Sequence, residues 1–417
     1  MIASNSPYGG SGSPHASAHA SPASTPQAAP AGMMMTASDF EATLSLYRSK
    51  AKKSNDPELL LEFARFLMQV AVAQDADKAQ AYRREAYKMC KKAASTGHDE
   101  AQFLLAECYE TGAYSDKNKP DYGKAFSLYS IAAKHSHPEA AYRAAVYYEN
   151  GRGTSKSPPR ALQFYQKAAA LGHPGAMYRI GMAELHGELG MVVNPRNGTK
   201  WLKMAAAAAT PEHPEALYEL ALLHETGIDH VVFVDYEYSV KLLREAAQLG
   251  HVMSMYRLGS YYEHGNHVAK SPQTSFSYFK AAAERGHPDS MFGVASWYLT
   301  GYSEAGVPQS DDQAFEWMKR AAESGLVKAF FALGYFYEEG IGTPGDPKLA
   351  LEWYQRALAK GDKRAGPKIS ALKQVVAGSA TMATLGRRRA QPAPPETENE
   401  RERIRKARTG EDACVIM

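Results

Sequence analysis

The last four residues, Cys414-Val415-Ile416-Met417, place a thiol four positions from the end, followed by two aliphatic residues and methionine. That order is a C-a-a-X prenylation signal, and a terminal Met favours farnesyl. The chemistry would be alkylation of the Cys414 sulfur to a thioether, with Val415, Ile416 and Met417 read by a prenyltransferase. A single farnesyl chain, at about 0.8 kcal/mol per buried methylene as an upper guide, gives reversible membrane binding, so a second anchor is needed. Arg387, Arg388 and Arg389, then Arg401, Arg403, Arg405, Lys406 and Arg408, are the candidate cations for contact with a cytosolic leaflet. Each would contribute about 1 kcal/mol near anionic lipid. Glu396, Glu398, Glu400, Glu402, Glu411 and Asp412 dilute that charge, so a solvated mixed-charge linker, with a membrane-bound protein as second anchor, is the competing reading.

Other chemistry-bearing patterns are thin. There is no Gly-x-Ser-x-Gly elbow, no phosphate-cradling glycine loop ending in Lys-Ser/Thr and no His-Glu-x-x-His helix, so no catalytic residue is expected. Asp311-Asp312 is a lone acidic pair beside a helix start, where an N-cap role with favourable dipole placement is expected. Gly-His recurs at Gly97-His98, Gly172-His173, Gly250-His251 and Gly286-His287. We read these as turns in which glycine supplies a left-handed helix end, and expect no metal, because the histidines stand a whole repeat apart in sequence. Cys90 and Cys108 fall inside helical pattern and are expected to be small buried hydrophobes. With 48 Lys plus Arg against 45 Asp plus Glu, the net charge is only +3, and the aromatic residues sit at core positions. Nucleic acid is therefore not an expected partner, and no cofactor is expected beyond covalent farnesyl on Cys414.

The elements that would position these residues repeat. A first half carries a small residue, an aliphatic four on, Gly or Ala five on, usually an aromatic eight on and Gly eleven on, as in Ala101, Leu105, Ala106, Tyr109, Gly112 and in Ala329, Leu333, Gly334, Tyr337, Gly340. A second half reads small, an aromatic or aliphatic pair, Ala-Ala and a turn residue, as in Ala161, Phe164, Tyr165, Ala168, Ala169, Gly172. Positions 0, 4, 8 and 11 share one helical face, so each half is an amphipathic helix and each repeat a hairpin. No hairpin can bury that face alone, and the expected fold is all-α: a right-handed α-solenoid of stacked helix hairpins. The array is expected over 85–372 in about seven repeats, preceded by capping helices over 39–84 and a Ser/Ala/Pro-rich disordered arm over 1–38. A flexible charged tail, 373–413, leads to the terminal box at 414–417. Leucine at Gly259 or Gly334 should overpack a helix contact. Loops of varying length, such as Ser155–Pro159, Met191–Gly198 and Gly301–Asp312, lie on one edge and are candidates for partner contact or tolerated drift. No secretory leader and no apolar stretch long enough to span a bilayer is read, so a cytosolic-side location is expected.

These two half-repeats resemble the Sel-like repeat family, cousins of tetratricopeptide repeats, over roughly Lys78 to Leu372. Ser296-Trp297-Tyr298-Leu299-Thr300-Gly301 and Phe315-Glu316-Trp317-Met318-Lys319-Arg320-Ala321-Ala322, with the terminal box, look like fungal chitin synthase regulatory proteins. The resemblance implies a non-catalytic subunit that binds a membrane-embedded chitin synthase. It also implies a peripheral place on the cytosolic face of the plasma membrane, at septa or growth sites, in cell-wall synthesis. The N-terminal arm is shorter here than in many members, which leaves any localising role of a longer arm without its carrier. A prenylated adaptor for another septation or signalling complex is the alternative, because a solenoid's partner is written on surface residues. A secretory-pathway adaptor lacks its signal peptide here, and a disulfide-dependent hydrolase cannot be built on three cysteines.

Overall fold

The computed structural model of the chain describes residues 37–72, 75–112 and 119–374. Within them the chain forms helices α1 (Ala37–Lys53), α2 (Pro57–Val72), α3 (Ala76–Ala94), α4 (Asp99–Thr111), α5 (Tyr122–Lys134), α6 (Pro138–Asn150), α7 (Pro158–Ala170), α8 (Pro174–His186) and α9 (Pro195–Ala207). There follow α10 (Glu215–Thr226), α11 (Tyr236–Gln248), α12 (Val252–His264), α13 (Pro272–Glu284), α14 (Pro288–Thr300), α15 (Asp311–Glu323), α16 (Val327–Glu339) and α17 (Pro347–Ala359). A further helical segment covers 365–374. Among the described residues there is no strand, only isolated bridges such as Ile228 with Val232 and Tyr302 with Val307.

From α4 onward the even-numbered helices are the first halves of repeats and the odd-numbered helices the second halves. The strongest packing is between helices adjacent in the chain, as expected of hairpins stacked in one dimension. Second helices end at Gly97, Gly172, Gly250, Gly286, Gly325 and Gly361 with φ between 88° and 97°, a left-handed conformation that glycine adopts without Cβ strain. Ser136 fills the same position with φ 67°.

Small residues set the closest helix approaches. A Cβ on Gly198 would come within 2.8 Å of the Gly181 carbonyl oxygen, so α8 and α9 meet backbone to backbone. Within the hairpins Tyr129, Tyr165 and Tyr354 on second helices pack against their own first helices, each essentially fully buried. Cys90 and Cys108 are buried free thiols, as expected.

The array is longer than its sequence template. Asp56-Pro57-Glu58 opens α2 where two later repeats have His-Pro-Glu, at 137–139 and 213–215, and α2 packs on α3 as a hairpin, so the division expected at residue 85 falls inside one helix. At the other end Ala365, Ile369 and Leu372, within the expected bound at 372, join the core formed by α14 to α17. The expected N-cap at Asp311-Asp312 needs correction. Ser310 is the N-cap, accepting from the Gln313 backbone N–H, and the two aspartates lie in the first turn, where they complement the helix dipole.

Candidate partner-binding surface

The histidines of the Gly-His turns are helix N-caps. Nδ1 accepts the backbone N–H three residues on, from Ala101 to His98, Ala140 to His137, Ala176 to His173, Ser254 to His251 and Ser290 to His287. An Nδ1 that accepts leaves the proton on Nε2, and in three repeats that N–H donates to a glutamate two residues into the preceding first helix. The distances are 2.9 Å from His98 to Glu58, 3.0 Å from His137 to Glu100 and 2.6 Å from His173 to Glu139. One His-Pro-Glu element thus caps its own helix through histidine and receives the next repeat through glutamate.

The ladder slips by one repeat at Gly175, which stands where the receiving glutamate would be. With no side chain there, His213 lies against Gly175, and a Cβ would come within 2.8 Å of its Nδ1. His213 leaves the start of α10, whose N-cap is Pro214 with no side-chain cap bond, and turns toward Glu139 at 3.9 Å. The rings of His173 and His213 are 4.8 Å apart, and Tyr142 stacks on His173 at 4.4 Å. His213, which stands in no Gly-His turn and so lay outside the spacing argument made for those histidines, is thereby brought to His173, and the ligand atoms of the pair lie with a Glu139 oxygen within 4.8 Å of one another. The donor set still argues against a metal. Ligation through His173 Nε2 would put a proton on Nδ1 and break its cap to Ala176, and Arg143 already pairs with Glu139 at 2.7 Å. Burial works against the ionised Glu139, yet hydrogen bonds from His173 and Arg143, with His213 nearby, hold its carboxyl well below the usual range.

A second ladder runs nine residues after the first small residue of each first helix. Glu110, Glu149 and Glu338 accept from the hydroxyls of Tyr129, Tyr165 and Tyr354 at 2.8, 2.6 and 2.6 Å. Each also faces a cation at the third position of the next first helix: Arg143 at 4.0 Å, Arg179 at 2.5 Å and Lys368 at 2.9 Å. Glu225 takes Arg257 in the same way, together with Tyr261 at 2.5 Å and Ser239 at 2.9 Å. Burial and the facing carboxylate push the Tyr261 phenol up to about 12. These partially buried networks tie each hairpin to the next.

The edge loops differ from the ladders in being apolar and exposed. Val192 is 87% and Phe233 82% exposed, and Val193, Val234 and Tyr236 are also exposed, all in the two loops that join α8 to α9 and α10 to α11 or at the start of α11. Sequence reasoning pointed to Met191–Gly198 through its length but not to the second loop, whose Val-Val-Phe-Val run at 231–234 was the available signal. Cys414, Val415, Ile416, Met417 and the basic candidates Arg387 to Arg389, Arg401, Arg403, Arg405, Lys406 and Arg408 lie outside the described residues. No helix among the described residues is long and apolar enough to cross a membrane.

Comparison with known proteins follows the hairpins closely. The Sel1 repeat family matches at 99–137, 138–173, 174–209, 214–251, 252–287, 288–326 and 328–362, one match for each hairpin from α4–α5 to α16–α17. The chain is 45% identical over 348 residues to the chitin synthase regulator SKT5 of Malassezia restricta, a span of 80% of this chain and 24% of that protein. It is 38% identical over 344 residues to the chitin synthase regulator SKT5 of Saccharomyces cerevisiae, covering 78% of this chain and 49% of that one. It is also 28% identical over 359 residues to the Activator of C kinase protein 1 of Saccharomyces cerevisiae, covering 78% and 55%. The chain thus spans about a quarter to a half of the length of the two regulators. Among solved structures, a Sel1 repeat protein from Oxalobacter formigenes superimposes with a TM-score of 0.54 at 26% identity, over 79% of this chain and 91% of that one. Seven family matches on seven observed hairpins settle the relationship: this chain belongs to the Sel1 repeat family and is a homologue of fungal proteins named chitin synthase regulators.

Proposed function

We propose that the chain is a non-catalytic regulator of chitin synthase, which holds or activates that membrane enzyme on the cytosolic face of the plasma membrane during septum and cell-wall synthesis. The observation that carries this reading is the 45% and 38% identity to two chitin synthase regulators, extending over about four fifths of this chain. A solenoid built from closed intramolecular ladders offers surface for binding and no reacting group. The terminal Cys414 box adds a farnesyl anchor made by a prenyltransferase, and the basic tail or the synthase itself supplies the second attachment. Val192 and Phe233 give apolar contact area that the fold does not use.

Affinity capture from wild-type cells and from a Cys414→Ser strain, with intact-mass analysis of the C-terminus, tests both halves. A farnesyl-sized mass on the wild type and a chitin synthase among its membrane partners is the expected result. An unmodified Cys414 refutes the anchor. A farnesylated chain that captures a signalling complex and no chitin synthase refutes the regulator reading in favour of a prenylated adaptor, the reading favoured by the 28% identity to the Activator of C kinase protein 1. Aspartate at Val192 and Phe233 should leave the melting temperature unchanged while reducing capture.

A further inference from the structure

The glutamate ladder has one rung without its cation. Glu263 stands on α12 at the position that Glu110, Glu149, Glu225 and Glu338 occupy on their own helices. The residue equivalent to Tyr129, Tyr165 and Tyr354 is Phe279, which has no hydroxyl to donate, and the residue equivalent to Arg143, Arg179, Arg257 and Lys368 is Gly293. A Cβ built on Gly293 meets nothing within 4 Å, so the place of the missing side chain is open. The Glu263 side chain is 39% exposed, and its one ion-pair contact among the described residues is His264 Nδ1 at 3.8 Å. That nitrogen is already bonded to the Ser260 carbonyl at 2.9 Å.

Beside Glu263 lies a cleft of about 270 Å³ whose lining includes Lys270, Trp297, Thr300 and Tyr302, and Lys270 makes no ion pair with Glu263 within 4 Å. Trp297 holds on α14 the position that Tyr261 holds on α12. At that earlier interface Arg257 pairs with Glu225 while its guanidinium lies 5.6 Å from the centre of the Tyr261 ring. The α12–α14 interface therefore keeps the carboxylate and an aromatic ring, and lacks both the hydroxyl donor and the cation on the next first helix.

We propose that this cleft binds the guanidinium of an arginine on an extended segment of a partner protein, completing between chains the pairing that the array makes within itself at four other interfaces. The proposal rests on the array being a protein-binding surface and not on which enzyme it binds. Arginine fits better than lysine because a planar cation can stack on Trp297 while its N–H fork meets both oxygens of Glu263. Gly293 keeps the site open; a side chain there would close it from within.

The test uses the full chain and a fluorescently labelled Gly/Ser nonapeptide carrying three arginines, with lysine and citrulline versions as controls, read by anisotropy. Wild type should bind the arginine peptide best and the citrulline peptide least. Glu263→Gln and Gly293→Arg should each weaken arginine-peptide binding by about tenfold, as expected for loss of a charge-assisted pair. Gly293→Arg should not lower the melting temperature, and Glu323→Gln, at an exposed carboxylate on α15, should bind as wild type. Equal binding by wild type and Glu263→Gln overturns the proposal. So does a tenfold gain in affinity when Arg387, Arg388 and Arg389 are changed to Ser in the full chain, because the occupant is then this chain's own tail. Peptide binding that persists while chitin synthase capture fails would sink the functional reading and leave this site intact.

Discussion

Gly334→Ala should destabilise the C-terminal end of the array, whereas Gly293→Ala should stabilise its own helix, although both glycines sit in the interior of a first helix. Alanine gains about 1 kcal/mol over glycine from helix propensity at either position. At Gly293 nothing opposes that gain, since an added Cβ has open space. At Gly334 the Cβ would stand 2.9 Å from both Cδ1 and Cε1 of Tyr354. That ring is fully buried, its hydroxyl is held by Glu338 at 2.6 Å and its centre lies 5.2 Å from that of the tilted Phe331 ring, so it has no easy path to move. Overpacking of this kind costs about 1–3 kcal/mol, so Gly334→Ala should lie about 1–3 kcal/mol below Gly293→Ala, that difference being the packing contribution alone. Leucine at Gly334 should cost more again. Urea unfolding followed by circular dichroism measures the difference, and hydrogen exchange in α16 and α17 locates it, since damage in a nearest-neighbour array stays local. If Gly334→Ala proves as stable as Gly293→Ala, the tight α16–α17 contact, and with it the register of the repeat, is wrong.

Three further outcomes follow from the ladders. Burial lowers the pKa of His251 and of His287, against the pull of Glu215 on the first and of Asp289, opposed by Lys328, on the second. Their contribution to stability is then full above the unfolded value of about 6.5 and is lost as pH falls below it, so asparagine at both, which caps without titrating, should flatten stability between pH 7.5 and 5.5. Arg257→Met should cost on the order of 2 kcal/mol in urea unfolding, because Glu225, whose side chain is 7% exposed, loses its cation and keeps only Tyr261 and Ser239; a loss below about 0.5 kcal/mol would show that the pair is solvated. His173→Ala should cost about 1 kcal/mol as a lost cap, while His213→Ala, which caps nothing, should cost clearly less; equal losses would contradict the displaced placement of His213.

Much of this architecture was legible because its causes are local in the chain. The spacing of Ala101, Leu105, Tyr109 and Gly112 fixes a helical face and its end, and Gly172 or Gly286 marks where a second helix must stop, through backbone conformation alone. The terminal Cys414 box is likewise a local signal, readable without any fold. The hairpin α2–α3 was harder to see as a repeat, since a cap needs the shape of a repeat but not its sequence on the outer face.

What the sequence by itself determined was the unit: an amphipathic hairpin, its turns, and its recurrence through seven family repeats. The tertiary structure alone decided which residues of different units meet. Glu139 receives two histidines because Gly175 has no side chain, and Glu263 stays open because Gly293 has none. Each outcome depends on the offset between stacked first helices, which brings the start of one beside the cap of the next, and the residue nine after the first small residue of one beside the residue three after that of the next. That offset arises from packing between repeats, so no pattern within a single repeat encodes it.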